Sequence, residues 1–257
     1  MNNAQRWLAL TALALFALPF LLGCGEGKKT PGPKADMKDA DLSRCDLSGK
    51  DLQGADFSGA NLYLANLRGA NLRGANLRGA RLMSADLEGA DLTRAHLTNN
   101  RLRGANLRGA NLKRANLTLA NLTRANLMRA NLRDANLQGA RLMSADLEGA
   151  DLTRANLTNA GRRRAYLTRA NLTRANLTRA NLTNAKLQGA DLQGAKLWRT
   201  NLTSADMSGA NLQGADLRGA LGVNLEDTVG TPTHMPDDPL DDGESGAQAD
   251  SVFLWSE

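Results

Sequence analysis

"ANLTRANLTRANLTN", residues 170–184, fixes the reading of most of the chain. Every fifth residue is Leu, and an Ala stands two positions before each one. Followed outward, the frame holds from Ala40 to Ala220 through 36 consecutive units of the form Ala-(Asn/Asp)-Leu-x-x. The Leu slot is Leu in 33 of them, departing at Phe57, Met207 and Arg162, and the Ala slot is Ala in 32, departing at Cys45, Lys50, Asn100 and Thr200. A repeat this regular outweighs local propensity.

A period of five fits neither ordinary element. On a helix five residues advance about 500°, so the leucines would spiral around every side. On a continuous strand an odd period would throw alternate leucines to opposite faces. Within one unit, however, Ala and Leu lie two apart and share a face if that stretch is extended. A bend over the last two positions would aim the next Ala-x-Leu inward again. The expected result is an all-β coil of short sides, with Ala and Leu inside and three positions in water. Stacked coils would pair their backbones about 4.8 Å apart.

The repeat closely resembles the pentapeptide-repeat family. That resemblance implies a right-handed quadrilateral β-helix with four units per coil, so the 36 units make about nine coils and about 43 Å of stacked backbone. The segment at 81–99 recurs at 141–159 with one change, His96 against Asn156. It suggests growth by duplication of whole coils. The organisation expected is a leader at 1–23, a tether at 24–39, the solenoid at 40–221 and an acidic tail at 222–257.

The leader has one positive charge at Arg6 and an apolar run from Leu8 to Leu22, short for a membrane span. It ends in "LLGC", residues 21–24, which resembles the lipobox of bacterial lipoproteins. The resemblance implies an exported chain lipidated on Cys24, in the outer membrane where the cell has one. With Cys24 assigned to lipid, no disulfide is expected, and Cys45 reads as a small buried thiol.

Residues 40–220 carry 27 Lys/Arg and 14 Asp/Glu, a net of +13, whereas residues 221–257 have nine acids and no base. This asymmetry speaks to partners and solubility. Catalytic groups are sparse. His96 stands in an outward slot, His234 lies in the tail, and no Asp/Glu cluster joins a His or Cys as a metal site would require. "DDPLDDGE" at 237–244 has Leu240 where a calcium loop needs an oxygen ligand. The expectation is no enzyme, cofactor or metal.

If four units make a coil, residues 20 apart stack on one side. The side holding 40–44 then has nine arginines, Arg44, Arg81, Arg101, Arg103, Arg124, Arg141, Arg162, Arg163 and Arg164, against Asp41 alone. An arginine ladder suits phosphates or sulfates; like charges on a long stack also simply keep it soluble. Interleaved aromatics, which nucleic-acid sites often use, are expected to be missing, which disfavours nucleic acid. Three functions follow. One is a lipid-anchored scaffold for an anionic envelope polymer, lipid headgroups or a protein. A second is a structural spacer. The third comes from family members that mimic DNA and bind topoisomerase, which the basic body and export disfavour.

Two irregular stretches remain. "AGRRRAYL", residues 160–167, keeps the frame on both sides, so it is substitution, not insertion. An arginine cannot be buried unpaired; a local bulge at Gly161 is expected, with Arg162 in solvent. "SVFLWSE", residues 251–257, is expected to fold over the last coil or to make a homodimer contact.

Overall fold

The computed structural model describes residues 31–160 and 165–236. The unit Ala105–Gly109 shows how the repeat builds it. All five N–H groups are used. Ala105 N–H donates to Leu102 O inside the bend, and Asn106 N–H to Ala85 O in the coil below. Leu107 and Gly109 donate to Asn126 O and Met128 O in the coil above. The remaining donor, Arg108 N–H, is taken by Oδ1 of Asn106 at 3.3 Å. An Asn or Asp in the second slot therefore closes its own bend, which explains why the repeat writes those two residues there.

Parallel bridges join residues 20 apart, from Asp36↔Asp56 to Asn201↔Leu221. Each turn thus carries four bridged positions, such as Asp36, Asp41, Asp46 and Asp51. The Asn and Asp side chains form ladders along the stack, with Nδ2 of Asn61, Asn66 and Asn71 donating to Oδ1 of Asp41, Asp46 and Asp51. Aspartates at the first coil fit this chemistry, because they accept from above and carry no amide needing a partner below.

The bend has a second requirement that composition hides. Every fifth described residue from Lys34 to Gly219 is left-handed, with φ between 51 and 70°. Glycine takes this conformation without cost, whereas the ten arginines there, such as Arg94 and Arg174, adopt it against their Cβ.

The core is one column of Leu and Ala. Leu52 through Leu217 and their alanines are almost all fully buried, with Phe57 and Met207 serving as leucines. Two polar residues share the Ala slot inside, Asn100 and Thr200, both 0% exposed. Lys50 also occupies an Ala slot, but in the first coil it is exposed.

Both ends differ from expectation. Asp36 already pairs with Asp56, and Lys34 N–H donates to Gln53 O. Regular pairing therefore includes 34–39, inside the stretch expected to be tether. At the other end residues 221–236 continue along the last coil in a shortened register, Asn211↔Val229 and Asp216↔His234. Their carbonyls receive the last free N–H groups, including Leu212 to Val229 O and Gly219 to Pro236 O, while Val223 and Leu225 pack on the core. The "SVFLWSE" segment lies outside the described residues.

Cys45 is buried in its Ala slot, 1% exposed. Its sulfur is not the free thiol expected, but disulfide-bonded. The sequence has one other cysteine, Cys24, which lies outside the described residues. Gly161 to Arg164 also lie outside them. Ala160 and Ala165 on either side are buried, and their carbonyls accept from Asn181 and Lys186, so the frame is the same before and after that unit.

Candidate interaction face

The bridge register places Asp41, Asn61, Arg81, Arg101, Asn121 and Arg141 in a single column. Arg81 and Arg101 are direct neighbours, one coil apart. Arg103 stands two residues along in its coil, and Arg44 and Arg124 occupy left-handed bend positions on the same side, φ 60 and 58°. All six of these arginines are exposed. The structure thus brings together the described members of the expected ladder; Arg162, Arg163, Arg164 and Cys24 lie outside the described residues.

Ion pairs involving arginine occur on the other three sides and not on this one among the described residues. Elsewhere five arginines find acids one coil away: Arg68 with Asp86 and Glu88, Arg73 with Asp91, Arg114 and Arg154 with Asp134, Arg133 with Asp151. The tightest is Arg154, whose Nε and Nη2 both donate to Asp134, at 2.6 and 2.9 Å. That hydrogen bonding holds the Asp134 carboxyl below the usual carboxylate range. Among the described residues, Arg44, Arg81, Arg101, Arg103, Arg124 and Arg141 make no such pair.

The sequence reading missed the apolar content of this side. Tyr63 (38% exposed), Leu64 (42%), Met143 (41%) and Leu221 (59%) all project from it. Tyr63 corrects the expectation that no aromatic interleaves with the arginines. The signal was present in the outward slots of the 60–64 unit, which read Tyr-Leu where neighbours carry polar residues or glycine. On an adjoining side the Trp198 ring is approached by the guanidinium groups of Arg179 and Arg199, centred 5.3 and 4.4 Å from it.

Little here resembles a reaction centre. His96 is exposed in its outward slot and continues the bridge column between Asn76 and Asn116. His234 has Nδ1 3.9 Å from Asp216, whose carboxyl is held low chiefly by the Arg218 side chain. Among the described residues no three His, Cys, Asp or Glu side chains group as a metal site would need.

Comparison with known proteins agrees with the repeat. A family profile described as pentapeptide repeats matches in eight copies, over segments running from 35–74 to 185–221. The chain is similar to HetL, a pentapeptide repeat protein involved in heterocyst differentiation regulation from the cyanobacterium Nostoc sp. strain PCC 7120. The identity is 37%, over 73% of this chain and 85% of that one, with a TM-score of 0.44. It is also similar to trypsin-treated QnrB1, a plasmid-mediated fluoroquinolone resistance protein, at 19% identity over 68% and 87% of the two chains, TM-score 0.54. The latter likeness concerns the fold alone. No curated protein sequence matches the chain.

Proposed function

Because the chain belongs to the pentapeptide-repeat family, we propose that it is a non-catalytic interaction scaffold of the bacterial cell envelope, anchored by lipid on Cys24. In this reading the solenoid is a right-handed quadrilateral of about nine coils, for which the register of 20 is the support. Its working surface is the arginine face, and the partner is anionic. The observation that carries this is the contrast in pairing. Among the described residues, six of the fourteen arginines on the other sides pair with carboxylates, whereas Arg81, Arg101, Arg103, Arg124 and Arg141 all stand exposed and without ion pairs. Unpaired guanidinium groups about 4.8 Å apart along a stack are free to take phosphates or sulfates bidentately.

Binding of the mature chain to inorganic polyphosphate, titrated at increasing salt, tests the proposal. Affinity should fall steeply with salt as counterions are released. Absence of salt-sensitive binding would leave the molecule a rigid spacer.

The anchor is tested separately, because Cys45 is disulfide-bonded and Cys24 is the chain's only other cysteine. One sulfur cannot carry both a thioether-linked lipid and a disulfide. Intact mass of membrane-extracted protein, with and without reductant, distinguishes them. An unchanged membrane fraction for Cys24→Ser would remove the anchor from the account.

A further inference from the structure

We infer that the arginine face docks on an anionic lipid surface, with its exposed apolar side chains at headgroup level. The inference rests on the reading that this face takes an anionic partner, and it adds the partner's class.

Of the eight exposed large hydrophobic residues among those described, four lie on this one side: Tyr63, Leu64, Met143 and Leu221. Tyr63 and Leu64 are adjacent in one unit, with Met143 and Leu221 four and eight coils along the same side. Leu64 shares the left-handed slot with one other described leucine, Leu119 on a different side. Leu64 sits at φ 57° in a slot that glycine fills without strain, and it is 42% exposed. Neither the backbone nor the core asks for a leucine there.

The apolar groups share the stack with cations. Arg44 precedes Tyr63 and Leu64; Arg81, Arg101, Arg103 and Arg124 follow, and Met143 stands beside Arg141. Tyrosine, aliphatic side chains and long-stemmed cations together match the interfacial zone of a bilayer, where rings and stems enter and charges meet phosphates. The side is a β-surface three outward residues wide, about 10 Å, and about 24 Å long from Arg44 to Met143. A cavity of about 450 Å³ lies on another side, along Thr153, Arg154, Thr173 and Arg174. A flat, charged surface suits a fluid partner that brings its phosphates to the arginines.

The test uses the mature chain carrying Cys24→Ser, so that no acyl group contributes. Co-sedimentation with phosphatidylglycerol-containing vesicles is compared with pure phosphatidylcholine vesicles and with soluble polyphosphate. Two outward-facing variant sets are added, with circular dichroism to verify folding. Arg81→Ser/Arg101→Ser/Arg103→Ser should weaken anionic vesicle binding by roughly a hundredfold, about fivefold per basic residue. Tyr63→Ser/Leu64→Asn/Met143→Ser should weaken vesicle binding at least tenfold and leave polyphosphate binding unchanged. Equal binding to neutral vesicles, or wild-type vesicle binding by the apolar variants, overturns the inference. Polyphosphate binding without vesicle binding also overturns it, while the proposed function stands. Loss of vesicle binding alongside tight binding to polyglutamate assigns the face to an acidic protein instead. If neither vesicles nor polyanions bind, both readings fail.

Discussion

Asn100 and Thr200 occupy the same column of the core and make the same bond. Nδ2 of Asn100 donates to Leu77 O, and Oγ1 of Thr200 to Leu177 O, each 2.7 Å long and each reaching 23 residues back. The two differ in what is left over. The Thr200 hydroxyl is satisfied, whereas Oδ1 of Asn100 is buried with no partner. An orphaned buried acceptor costs about 1–3 kcal/mol. Leu77 O keeps its bond from Ala80 N–H without the amide. Asn100→Ala should therefore raise stability by roughly 1 kcal/mol, while Thr200→Ala changes it by less. Denaturant midpoints of the two variants check this.

The left-handed bend makes a sharper prediction. A Cβ added to Gly109, φ 63°, would meet nothing within 4 Å, so Gly109→Ala isolates the backbone cost. It should destabilise by about 1 kcal/mol, and Gly109→Asn by less, since Asn tolerates this region. At Gly222 an added Cβ would come within 2.6 Å of Thr203 Cα. Gly222→Ala should cost more and loosen residues 221–236 from the last coil. Hydrogen exchange of Leu212 and Gly219, whose N–H groups bond to that segment, would report it.

Acid should weaken the fold in a defined direction. Asp134 is held below its ordinary value of 3.8, first by hydrogen bonding from Arg154. Asp46 and Asp56 are held low first by the hydroxyls of Ser48 and Ser58. A depressed carboxyl contributes stability above its unfolded pKa and loses it as pH falls through the folded one. Melting temperature should hold from pH 7 to about 5 and fall below about 4. In Asp134→Asn the fall should be shallower. A steeper fall in that variant would show that Arg154 does not stabilise the carboxylate.

The inward half of the fold was legible because burial has a period: Leu and Ala recur wherever a side chain must be hidden. Tyr63, Leu64 and the left-handed slot were not. Outward positions tolerate many residues, so Gly109 and Arg114 look unrelated in the text although they share one φ. The second slot was legible as polar, yet its work, Oδ1 of Asn106 closing the bend at Arg108, needs backbone direction. The arginine column followed from a coil of 20. Which arginines are paired depends on neighbours across coils, as Arg154 does on Asp134, and no single unit displays that.

The central claim is that pairing, not total charge, makes the binding face. It is tested most directly by comparing Arg81→Ser/Arg101→Ser/Arg103→Ser with Arg68→Ser/Arg73→Ser/Arg154→Ser in polyphosphate titrations across salt. Both sets remove three positive charges. The account predicts a large loss of affinity and a shallower salt slope for the first set, by about 0.7–0.9 per contact removed by analogy with nucleic-acid phosphates, and little change for the second. Equal losses in the two sets would contradict it and reduce the arginine face to a share of a uniformly basic surface.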